Sequence, residues 1–143
     1  MKSYLSATAR ILFGIVFFVF GLNVFLDFLP MPPMQGRAGE FVAGLAASGY
    51  VFPLMGAIET LAGAALLIGR FVPLALTVLA PVVVNVLATH LFLAPSGIPH
   101  ALALLALELY LVWSYRAAFE PLLRAREVAV GPLGRRITDA HAR

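Results

Sequence analysis

The sequence contains no cysteine and little charge: Asp, Glu, Lys and Arg make up 12% of its 143 residues. The missing cysteine excludes structural disulfides, thiolate metal sites and dithiol redox chemistry. The scarcity of charge stands against 62% hydrophobic residues. An ordinary soluble domain is nearer half apolar and a quarter charged. A chain this short leaves too much of its surface exposed to hide that excess in a core, so a lipid-facing surface is required. The ten Lys and Arg lie mostly at segment ends, which is not the pattern of a nucleic-acid binder. Nucleotide-binding loops, serine-nucleophile motifs and the Rossmann glycine pattern are absent.

What is present is a set of long apolar runs. A helix needs about 20 mostly apolar residues to cross the hydrocarbon core, and four stretches qualify: 8–29, 51–69, 73–94 and 98–117. The expected fold is all-α, an integral membrane four-helix bundle occupying 1–119, followed by a polar basic tail at 120–143. The first run starts like a signal peptide, with Lys2 and Arg10, but its apolar part is too long and no small-residue cleavage site follows. It is read as a retained span. Leu29-Pro30-Met31-Pro32-Pro33 ends it, Gly69-Arg70 ends the second, and Pro73 opens the third. Pro81 lies inside the third span, where it removes one backbone hydrogen bond and is expected to bend the helix.

Nine of the ten basic residues fall on one side of this arrangement and Arg37 alone on the other. The positive-inside rule then places both termini in the cytoplasm. The first external loop, 36–48, groups Phe41, Val42 and Leu45 on one helical face and Arg37 and Glu40 on another. A short amphipathic helix is expected there, either capping the bundle or resting on headgroups. The tail should lie against anionic headgroups as a topology anchor.

An ionisable residue costs roughly 2.5 kcal/mol or more at the centre of a span, so it usually faces the bundle interior or a cavity. Asn23 and Asp27 occur in the first span, Glu59 and Thr60 in the second, Thr77, Asn85, Thr89 and His90 in the third, and Glu108 in the fourth. At about 1.5 Å per residue, Asn23, Glu59, Asn85, His90 and Glu108 all lie in the outer half of the membrane or near its midplane. A shared interior pocket explains that common level with one assumption. Asn23 and Asn85 also suit a plain role stitching helices together. A buried carboxylate must pair with a cation or take up a proton, and His90 is the only cation candidate near these carboxyls within the spans. Gly14 and Gly21, with Gly56, Thr60 and Gly63, mark close helix contacts. His90 and His100 could in principle hold a haem iron or a metal, but no ligand-spaced motif accompanies them and neither group is expected.

Arg10-Ile-Leu-Phe-Gly14, Phe20-Gly21-Leu-Asn23, the run from Ile58-Glu59 to Gly69, the run from Pro81 through Asn85 to His90, and Glu108-Leu-Tyr110-Leu-Val-Trp113 together resemble the DoxX family of small four-span bacterial membrane proteins. The resemblance covers residues 9–124. It implies association with membrane oxidoreductases and quinones in the bacterial inner membrane, and points to Glu59, Asn85 and His90 first, with Asn23 and Glu108 behind them. Glu59 and His90 are the candidate catalytic groups, and all five are candidate ligand-binding groups. The absence of cysteine rules out thiol-based sulfur chemistry within the chain.

Three functions are compatible with these residues. In a quinone-linked or oxidoreductase-associated subunit, the carboxyl, amide and imidazole groups serve a quinone head, and a partner protein supplies electrons. A binder or transporter of a proton, an ion or a small hydrophobic molecule would use the same groups, with a transport path calling for a homodimer. An assembly subunit would use them only to lock its own helices.

Overall fold

The computed structural model describes residues 2–120. The tail beyond Glu120 lies outside the described residues. The helices are α1 (Lys2–Leu26), α2 (Gly36–Ala47), α3 (Val51–Ile68), α4 (Val72–Phe92), α5 (Ile98–Ser114) and α6 (Arg116–Phe119), with a 3₁₀ turn at Pro95–Gly97 before α5. Among the described residues there is no strand. Lipid offers no hydrogen-bond partner to a bare backbone, so long apolar segments must satisfy their peptide groups internally, as helices. Four segments are long and apolar enough to cross a membrane: Tyr4–Leu26, Val51–Ile68, Val72–Phe92 and Pro95–Ser114. The chain is an all-α, multi-pass membrane bundle, as its composition requires.

The helix ends show where backbone chemistry overrides hydropathy. α1 stops at Leu26, short of the proline cluster expected to end it. Asp27 adopts a left-handed conformation with φ 46°, which ends a helix and which Asp tolerates better than most residues. Its N–H donates to the Asn23 carbonyl at 2.9 Å. α3 ends on Gly69, whose φ of 77° requires glycine. The loop after the first span does form a helix, α2, with Ala38 buried and Arg37, Glu40 and Phe41 exposed.

The spans form a ring: α1 packs on α3, α3 on α4, α4 on α5, and α5 returns to α1. α3 and α5 therefore stand on a diagonal. The α1–α3 contact is the most extensive, because antiparallel glycine pairs let the two backbones approach. A Cβ on Gly21 would lie 2.6 Å from Thr60 Oγ1 and 2.8 Å from the Gly56 carbonyl, and one on Gly63 would lie 2.9 Å from the Gly14 carbonyl. Inside the ring, Phe13, Leu66, Leu76, Leu79, Val83 and Leu111 are fully buried. Phe13 meets Phe17 edge to face, with centroids 4.8 Å apart.

At the end carrying Arg10 and Arg70, side chains tie the ring. Arg10 Nη1 donates to the Leu66 carbonyl in the last turn of α3, which also accepts the Gly69 N–H at 3.2 Å. Ser6 Oγ pairs with Tyr110 Oη at 3.3 Å and donates to Ser114 Oγ at 3.3 Å, joining α1 to α5. Trp113 is exposed, with the Arg116 guanidinium 5.1 Å from its ring centroid. That pairing suits an interfacial position, where Trp presents an apolar body and a wet edge.

Candidate intramembrane polar site

Helical spacing decides which polar residues look inward. On α5, Ala101, Glu108 and Leu111 are buried on one stripe. Glu108 is 4% exposed and its Oε1 has no hydrogen-bond partner. On α3, Glu59 is partly buried and falls on the line through Gly56, Gly63 and Leu66, all of them buried. No hydrogen bond or ion pair engages either carboxyl among the described residues. Glu59 lies about 12 Å along α3 from Val51 and Glu108 about 15 Å along α5 from Ile98, at 1.5 Å per residue. Both helix starts are at the same end of the bundle, so the two carboxyls face one interior from diagonal helices at nearly one depth.

The other three candidates are placed differently. Asn23 is buried, and both its amide atoms bond the chain leaving α1. Its Oδ1 accepts the Leu29 N–H at 2.7 Å and its Nδ2 donates to the Leu29 carbonyl at 3.2 Å. It shapes the exit of the helix. His90 lies on the inward stripe of α4 with Val83 and Val86, in the last turn of the helix. Its Nδ1 is 2.8 Å from the Val86 carbonyl. A carbonyl only accepts, so Nδ1 carries a proton and donates it. The ring is seated against Gly97, where any Cβ would overlap it.

Asn85 corrects the expectation of a four-helix pocket. It is exposed, on the face of α4 that also carries Val78, Pro81 and Phe92. The inward stripe is occupied by Leu76, Leu79, Val83 and Val86, and Asn85 is rotated well away from it. Thr77 is likewise exposed, with its hydroxyl donating to the Pro73 carbonyl at 2.9 Å. Thr60 donates to the Gly56 carbonyl at 2.7 Å. Both hydroxyls are satisfied within their own helices.

The family model for DoxX matches residues 5–94. The chain belongs to the DoxX family. No match was found among curated proteins or among solved structures. The DoxX match runs from α1 to just past the end of α4, so Asn23, Glu59, Asn85 and His90 fall within it and Glu108 lies beyond. Among the described residues of this DoxX chain, no three His, Cys, Asp or Glu side chains are grouped to hold a metal ion.

The bond from Arg10 to α3 was not expected from the sequence. The signal was available: a basic residue inside the first run, at the end of the bundle where Gly69 terminates α3. Chemically, the interior offers two carboxyls in an aliphatic enclosure with no partner of their own. Such groups can donate or accept hydrogen bonds and exchange protons with a small polar head entering from lipid.

Proposed function

We propose that this DoxX-family protein is a quinone-linked membrane subunit of an oxidoreductase assembly in the bacterial inner membrane. Both termini lie in the cytoplasm on this reading. Glu108 and Glu59 are the proton-exchanging, head-binding groups, and His90 lies nearer the outer surface. One observation carries the reading: a Glu108 carboxyl oxygen is buried without a partner inside a bundle whose other buried side chains are nearly all apolar. A native fold rarely keeps such a group without a use. A quinone head brings carbonyl oxygens that accept from a carboxylic acid, and a quinol brings hydroxyls that donate to a carboxylate. The aliphatic walls suit a prenyl tail. Electrons come from a partner protein. A second copy of the chain is a further partner, because Asn85 on the lipid side offers an amide that an identical amide satisfies across a two-fold axis.

The acidic character of both groups also favours a second reading, a binder of a proton, a cation or a small hydrophobic molecule. Mass spectrometry of the lipids and cofactors that co-purify separates the two. The quinone reading predicts a quinone retained by the native protein and lost in Glu108→Leu and Glu59→Leu. Retention of a different small molecule, lost in the same variants, supports the second reading. A pure assembly subunit would lose nothing in either variant.

A further inference from the structure

We propose that the groove between α3 and α4 binds one anionic phospholipid, with its phosphate at Arg70 and one acyl chain along the groove. The groove is open to lipid and separate from the interior carboxyls. It has a volume of about 270 Å³ and its lining is almost entirely carbon, from Ile58, Ala62 and Ala65 on one wall and Phe71, Leu74 and Val78 on the other. Small alanines on α3 create it, since larger side chains there would fill the space. From Phe71 to Val78 it runs about 10 Å at 1.5 Å per residue. That is most of the roughly 15 Å from the membrane surface to the midplane, taking a core of about 30 Å. The shape therefore fits the chain of a lipid whose head stays at the Arg70 end.

Charge selects the head. Arg70 is exposed at the mouth of the groove and has no anionic partner among the described residues. Its guanidinium lies 5.9 Å from the centroid of the Phe71 ring. Phe71 holds a left-handed backbone with φ 56° and ψ 29°, a conformation that bulky residues rarely adopt. The turn thus sets an aromatic wall in the groove and a cation beside it. Phe71 also stands at the N-cap of α4 and offers that helix no side-chain cap. A cation over an apolar slot at the membrane surface is the arrangement that retains an anionic amphiphile.

Native mass spectrometry of the detergent-solubilised protein, with equal amounts of dioleoyl phosphatidylglycerol and dioleoyl phosphatidylcholine, tests the site. The expected result is a single retained lipid, with phosphatidylglycerol favoured roughly fivefold, the equivalent of about 1 kcal/mol. Arg70→Gln, at an exposed position, should bring the two lipids to equal retention. Arg116→Gln, at the same end of the bundle, should keep the preference. Ala65→Phe, filling the groove, should lower retention of both lipids, with circular dichroism confirming its helical content. Equal retention of the two lipids by the native protein would overturn the proposal. So would equal effects of Arg70→Gln and Arg116→Gln, which mark diffuse surface charge, or undiminished retention in a folded Ala65→Phe.

Discussion

Replacing Glu108 with leucine is expected to raise the stability of the bundle by about 1–3 kcal/mol, because an unpartnered buried oxygen is exchanged for carbon in an apolar surround. Thermal unfolding in detergent measures this, and a loss of stability would mean that the carboxyl has a structural partner. His90 behaves in the opposite sense. Its ring rests on Gly97, so Gly97→Ala must push the imidazole aside and break its bond to the Val86 carbonyl. The expected cost is about 1 kcal/mol, with a change in the nitrogen chemical shifts of His90. Unchanged shifts would show that the ring is held elsewhere. These roles were only partly legible beforehand. Sequence identified Glu108 and His90 as costly in a span, but neither residue type nor spacing reveals that one is left unpaired while the other bonds its own helix.

Glycine sets how closely the elements pack. Gly21→Ala places a methyl within 2.6 Å of Thr60 Oγ1 and must separate α1 from α3. A loss of about 1–3 kcal/mol is expected. Gly44→Ala is the contrast, because its added Cβ meets nothing within 4 Å. In the middle of α2 it should stabilise by about 0.5–1 kcal/mol through helix propensity. Melting curves of the two variants should therefore move in opposite directions, and a shared direction would contradict the glycine contact. The four spans and α2 were readable from hydropathy and spacing, because lipid forces long apolar runs into helices. The end of α1 was not, since a left-handed Asp27 and the Asn23–Leu29 bonds act before the prolines.

For the whole molecule, depth was legible and direction was not. Counting residues put Glu59, Asn85 and Glu108 near one level. A span that is apolar on every side gives no polar face to tell inward from outward, and Asn85 turned out to be exposed on the outside of the bundle. Orientation across the membrane has its own test, made clean by the lack of native cysteine. In intact cells a membrane-impermeant maleimide should label Ala47→Cys at the outer surface and not Ala118→Cys. Labelling of Ala118→Cys alone would invert the proposed topology.

The central claim is that carboxyls on two diagonal helices serve a single ligand. A double-mutant cycle on the affinity for a short-chain quinone, using Glu59→Leu, Glu108→Leu and the pair in nanodiscs, tests it most directly. Each single change should weaken binding, and the double variant should lose less than the two losses added, by at least about 0.5 kcal/mol, the onset of coupling between groups that share a partner. Strictly additive losses, or affinity untouched by either change, would contradict the account.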